Sequence, residues 1–152
     1  MATIISRNPS ETEALGEAWG RAAVNGLVLM LCGDLGAGKT QLVKGFARGL
    51  DITDRVHSPT FSLFNVYSGG RLSLYHIDLY RLDTREQITG AGLEEYLSPK
   101  GITVIEWADR WFVQPPNGSA INPGSFPTHF RWVNIEALNE TERRIFYEDF
   151  GA

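Results

Sequence analysis

The chain is poor in the features that mark several protein classes. It has one cysteine, Cys32, so no internal disulfide can form, and a reducing compartment is expected. Its longest apolar run, Leu27 to Cys32, is far too short to cross a bilayer. Residues 1–10 lack the basic start and apolar stretch of a signal peptide, so a cytoplasmic protein with no membrane association is expected. Lysine is scarce: three stand against eleven arginines. The net charge is −4, which argues against strong non-specific nucleic-acid binding, since that needs a basic surface. No internal repeat or long charge run occurs. What remains is ordinary for a globular chain. Of 152 residues, 43% are hydrophobic and 21% charged, enough for one cored domain over residues 1–152 and too short for two of full size.

Periodicity supplies a coarse map. Ser10-x-x-Glu13 reads as a capping box, and Leu15, Ala18, Trp19 and Ala22 recur at helical spacing. A helix over about 11–24 is predicted, stopped by Asn25-Gly26. The run 27–32 reads as a strand buried on both faces. A glycine-rich turn then leads into a helix over about 39–49 with a stripe of Leu42, Val43, Phe46 and Ala47. Residues 61–67 and 71–78, separated by Ser68-Gly69-Gly70, look like a hairpin. Short helical stretches near 84–89 and 92–97, a strand over 102–106, a Pro/Gly/Asn loop over 114–127, and strands near 129–137 and 143–149 complete the map. The expected fold is α/β, a three-layer domain of the P-loop NTPase type with a mixed sheet that includes an antiparallel part.

The strongest motif is Gly33-Asp34-Leu35-Gly36-Ala37-Gly38-Lys39-Thr40, which fits G-x-x-x-x-G-K-[ST]. At this composition the pattern arises by chance in about 0.4% of chains of this length. The chemistry needs these types at this spacing. Glycines let the backbone wrap its N–H groups around an anion, and the following helix adds unpaired donors and its dipole. Lys39 can reach β- and γ-phosphates, and Thr40 can offer a hydroxyl to Mg²⁺. Gln41 follows on the same helix turn and joins the nucleotide-binding candidates.

Phosphoryl chemistry also requires acids near the metal. Asp78 and Glu106 each end an apolar strand-like run, where such an acid sits; residues of this type are also commonly helix caps or surface charges. Ser58-Pro59-Thr60 precedes a strand, and its threonine reads either as a switch that closes on γ-phosphate or as part of a plain turn. His57 and His76 have no metal-like spacing with Cys32 or each other, and structural roles suit them better. Trp107 follows Glu106 and should lie near the site. Arg110, Arg143 and Arg144 read first as solvated faces. The guanine reader Asn-Lys-x-Asp is absent, and Asp78 is not followed by the spacing of a GTPase D-x-x-G, so an adenine nucleotide is favoured by elimination. A small-molecule kinase, with Asp78 as base, and a nucleotide-dependent scaffold remain as alternatives.

Several segments together resemble one family. Besides the loop 33–40, these are Ser58-Pro59-Thr60-Phe61, His76-Ile77-Asp78-Leu79-Tyr80-Arg81-Leu82, Gly92-Leu93-Glu94-Glu95-Tyr96 and Val104-Ile105-Glu106-Trp107-Ala108-Asp109. In order and spacing, from about residue 10 to 112, the sequence resembles TsaE (YjeE), the bacterial P-loop ATPase of tRNA threonylcarbamoyladenosine biosynthesis. The stretch 113–130 is longer than the family's usual connection. The resemblance implies slow hydrolysis of ATP to ADP with Mg²⁺, in support of the TsaB and TsaD proteins. Contact with tRNA would come only through that complex. It implies that Lys39 binds phosphate, that Thr40 and Glu106 hold Mg²⁺, and that Thr60 senses γ-phosphate. Asp78 would be a second, catalytic or water-positioning acid, and Trp107 a residue implicated in activity. The Ser10-x-Thr12 region and Arg143-Arg144 would lie near the nucleoside, which makes Thr12 a binding candidate.

Overall fold

The computed structural model describes residues 2–34, 36–54, 56, 64–82, 84–112, 127 and 129–151, with only the backbone described at Phe64, Arg85 and Thr89. Seven strands form one mixed sheet: β1 (Ala2–Ser6), β2 (Val28–Cys32), β3 (Phe64–Tyr67), β4 (Leu74–Asp78), β5 (Ile102–Glu106), β6 (Phe130–Ala137) and β7 (Arg143–Phe150). Their spatial order is β1-β7-β6-β2-β5-β4-β3. The four inner strands β6, β2, β5 and β4 run parallel, and β7, β1 and β3 add antiparallel edges. Strands β2 and β5 are buried at every position, as central parallel strands covered on both faces must be.

Alternation along these strands divides the core. Leu29, Leu31, Val104 and Leu74 face α1 (Pro9–Ala22) and α2 (Lys39–Gly49), where Leu42, Val43 and Phe46 meet them. Met30, Ile77, Ile105 and Trp132 face the opposite side, toward α3 (Arg85–Gly90) and the 3₁₀ turns 93–97 and 108–110. The result is a three-layer α/β domain of the P-loop NTPase type, as the sequence predicts.

Helix α1 starts two residues earlier than its periodicity suggests. Asn8, not Ser10, is the N-cap: its side chain accepts the Glu11 amide at 2.9 Å, and Pro9 takes the first helical position. Glu11 accepts in turn from the Arg7 amide at 2.7 Å, so a reciprocal cap exists, shifted upstream of Ser10-x-x-Glu13. Strand β1 carries no element in the sequence reading, because an edge strand of five residues pairs only with the distant β7. The 114–127 loop lies outside the described residues except at Pro127.

Helices α1 and α2 pack parallel and very close. Each presents two glycines four apart, Gly16 and Gly20 on one and Gly45 and Gly49 on the other. A Cβ on Gly45 would lie 1.9 Å from the Glu13 carbonyl oxygen, and one on Gly16 2.2 Å from that of Leu42. The helices touch backbone to backbone, which only glycine permits. Gln41 Nε2 donates to Glu13 Oε1 at 2.7 Å and Arg48 to Glu13 Oε2 at 3.2 Å, fixing the register. The N-terminus of α1 is thereby set beside that of α2.

Candidate phosphate-binding site

The site forms where the carboxyl ends of β2, β4 and β5 meet the start of α2. β2 ends at Cys32, and the chain turns through Gly33, Gly36 and Gly38 with φ of +147°, +79° and +105°. Gly38 caps α2 in the left-handed conformation and offers no side chain to the first turn of the helix. Leu35 lies outside the described residues. Lys39 is 5% exposed, and its Nζ donates to the carbonyls of Gly33 at 2.6 Å and Asp34 at 2.9 Å. That ammonium therefore sits across the mouth of the loop. Burial pulls its pKa down, while the carboxylates of Glu106, Asp78 and Asp109 oppose the shift.

Acidic groups gather on the same side. In-register pairing places Asp78 of β4 opposite Glu106 of β5, and Glu106 opposite Leu31 of β2. Glu106 is 3% exposed, and the Thr40 hydroxyl lies 3.3 and 3.4 Å from its two oxygens. A hydroxyl and a carboxylate at that separation are hard oxygen donors of the kind Mg²⁺ takes alongside substrate phosphates. Among the described residues, no group of three His, Cys, Asp or Glu could hold a metal unaided. Asp78 Oδ1 accepts the Tyr80 amide at 2.9 Å. Burial raises the Asp78 pKa, against the Tyr80 hydrogen bond, and makes it a stronger base than an exposed aspartate.

Trp107 is turned onto the site by its backbone, at φ 62° and ψ 39°, a left-handed conformation unfavourable for a bulky side chain. It places the indole under Lys39, whose Nζ is 4.0 Å from the ring centroid. The Arg110 guanidinium stands 5.2 Å from the same ring, and Tyr80 packs beside it at 5.1 Å. Strain of this kind, of order 1–3 kcal/mol, persists where the surroundings enforce it, often at functional sites.

Two residues whose local sequence pattern reads as bland are part of this construction, one of them, Arg143, placed near the site only by the family resemblance. Arg143, at the start of β7, donates from Nε to the Ala37 carbonyl at 2.9 Å and from Nη2 to that of Gly36 at 3.2 Å. It fastens the loop from the β7 side. His76 is wholly buried, with Nε2 2.5 Å from Glu106 Oε2. Its position two residues before Asp78 places both on one strand face, which was the available signal. Thr12 lies on α1, 2% exposed, with its hydroxyl 2.7 Å from Ser6 Oγ. Gln41 reaches across to Glu13. Cys32 is buried, and burial foremost, then the Asp109 carboxylate, pushes its thiol pKa well up. Thr60, with His57, Ser58, Pro59 and Phe61, lies outside the described residues.

A family model described as "Threonylcarbamoyl adenosine biosynthesis protein TsaE" matches residues 6–145. The chain belongs to the TsaE family. Several curated relatives are named tRNA threonylcarbamoyladenosine biosynthesis protein TsaE. That of Bacillus subtilis is 48% identical over 101 residues, 66% of this chain and 63% of its own length. That of Nostoc is 44% identical over 119 residues, 76% of this chain and 73% of its own. That of Rickettsia felis is 32% identical over 146 residues, 92% of this chain and 75% of its own. The chain thus spans less than two thirds of the B. subtilis relative. The crystal structure of B. subtilis YdiB superposes with a TM-score of 0.73 at 34% identity, covering 99% of this chain and 86% of that one. The TsaE-family match extends through β6 and into β7, beyond the region where the sequence motifs lie.

Proposed function

We propose that this TsaE-family chain binds ATP on the loop 33–40 and hydrolyses it to ADP with Mg²⁺. In this reading it serves tRNA threonylcarbamoyladenosine synthesis together with TsaB and TsaD. The observation that carries the reading is the convergence of Lys39, Thr40, Glu106 and Asp78 at the ends of three parallel strands.

The amides of Gly36 to Thr40 and the Lys39 ammonium hold the β- and γ-phosphates. Thr40 and Glu106 hold Mg²⁺, which when bound screens the charge of the phosphates. Asp78, held by the Tyr80 amide, orients the attacking water and is the base its raised pKa favours. Trp107 covers Lys39 and keeps water from its other side. Thr60 is the residue assigned to sense γ-phosphate. In this reading intrinsic turnover is slow and docking of TsaB and TsaD completes the site. With a net charge of −4, the chain meets tRNA only through those partners.

Phosphate release from ATP with Mg²⁺ is the test. Lys39→Ala should lower it at least ~100-fold, the scale for losing a charged group that stabilises the transition state. Asp78→Asn should bind ATP normally yet turn over poorly. Normal turnover in Asp78→Asn would remove Asp78 from the chemistry. Transfer of the phosphate to a small-molecule acceptor, rather than to water, would replace the ATPase by a kinase.

A further inference from the structure

We infer that His76 is a positioning residue: its imidazole fixes the rotamer of Glu106 and so sets the affinity of this site for the divalent cation that accompanies the nucleotide. The inference rests on the reading proposed above, in which Thr40 and Glu106 hold that cation.

The geometry carries it. His76 is 0% exposed in the middle of β4, on the sheet face that looks toward α2. A histidine there, between Leu74 and Asp78 on one face, fills a place that apolar packing could fill at no polar cost. Its Nε2 lies 2.5 Å from Glu106 Oε2, on the neighbouring strand and two register positions further along. Its Nδ1 is buried with no hydrogen-bond partner among the described residues. Nε2 is therefore the nitrogen that donates to Glu106, since a proton on Nδ1 would be buried unpaired. The Thr40 hydroxyl lies 3.3 Å from Oε1 and 3.4 Å from Oε2 of the same carboxylate.

Glu106 has three side-chain torsions and sits at a strand end, so nothing in its own backbone fixes which lone pairs face the loop. The imidazole fixes them. Holding Oε2 keeps the carboxylate turned so that both of its oxygens stay beside the Thr40 hydroxyl. Ligating carboxylates are oriented by hydrogen bonds from behind, and loss of such a partner lowers metal affinity about 10–100-fold. An arginine or lysine there would bring a permanent charge against the carboxylate, whereas the imidazole holds it through a single hydrogen bond from Nε2.

The test compares His76→Leu, His76→Asn and His76→Gln with the unaltered chain. A glutamine amide places a donor near the Nε2 position, whereas an asparagine amide reaches only the Nδ1 position. Two quantities are measured on the folded full chain: Mn²⁺ affinity of the ADP complex, by electron paramagnetic resonance, and ADP affinity in EDTA. His76→Leu and His76→Asn should weaken Mn²⁺ about tenfold or more. His76→Gln should stay within about threefold of the unaltered chain, and ADP affinity in EDTA should be the same in all four. If His76→Leu does not fold, the Asn and Gln pair decides alone. Equal Mn²⁺ affinity in all variants overturns the inference. So does a parallel fall of metal-free ADP affinity, which would make His76 a packing residue. If the unaltered chain binds ADP but no Mn²⁺, the cation site itself fails and the inference with it.

Discussion

Arg143 uses each of its nitrogens on backbone carbonyls. Nε and Nη2 hold Ala37 and Gly36, and Nη1 holds Asn139 and Glu142. It thus ties the β6–β7 turn to the phosphate loop, a task for a planar fork that a single ammonium cannot perform. Arg143→Lys should therefore weaken ADP binding about tenfold, the equivalent of one or two lost hydrogen bonds. Calorimetric titration of both proteins checks this, and equal affinities would reduce Arg143 to a surface residue. At this scale the motif residues were legible and their helpers were not. Lys39 announces itself because its partners, the carbonyls of Gly33 and Asp34, are neighbours in the sequence. His76 meets Glu106 thirty residues away, and Arg143 meets Ala37 across more than a hundred, so local pattern reads both as ordinary. Trp107 could be placed near the site by adjacency alone, but its left-handed backbone, which turns the indole under Lys39, could not.

Among the elements, the α1–α2 pair is the most constrained. Glycines stand where the helix backbones touch, and a methyl at Gly45 has no space to occupy. Gly45→Ala should lower stability by about 1–3 kcal/mol, the usual penalty for overpacking. In a chain of this length each kcal/mol corresponds to about 2–4 °C in the melting temperature. Gly90→Ala, where a Cβ meets nothing within 4 Å, should show no loss and serves as the comparison. Similar melting temperatures for the two variants would mean the helices separate freely. The extents of β2, α2 and β5 were legible because burial on both faces and a strict apolar stripe leave little choice. The start of α1 was misjudged by two residues because Asn8-Pro9 and Ser10 both carry start signals, and the proline at the first position decided it. β1 was missed because an edge strand takes its identity from a partner at the other end of the chain.

Across the whole molecule, the parallel inner strands bring three carboxyl ends to one edge, and the antiparallel strands widen the platform that carries Arg143. The sequence motifs imply the former, since a phosphate loop and two acids must converge. They do not imply the strand order, which depends on pairings between distant segments. One ion pair closes the platform at β6 and β7: Arg131 lies over the edge-packed rings of Trp19 and Tyr147, 4.6 Å from each, and grips Asp149 at 2.5 and 2.9 Å. Those hydrogen bonds hold the Asp149 pKa below its usual value. A carboxylate depressed in the folded state stabilises above its unfolded pKa and loses that contribution as pH falls through the folded one. Asp149→Asn should thus be less stable at pH 7 by at most about 1 kcal/mol, since water screens this half-exposed pair. The difference should vanish below the ordinary aspartate range, which paired denaturation curves at the two pH values would show.

The most direct measurement is ATP turnover by the purified chain with Mg²⁺, alone and with TsaB and TsaD from the same source. Slow turnover alone, acceleration by the pair, and loss of both in Lys39→Ala are the expected results. A folded, bound pair that leaves turnover unchanged would contradict the proposed function.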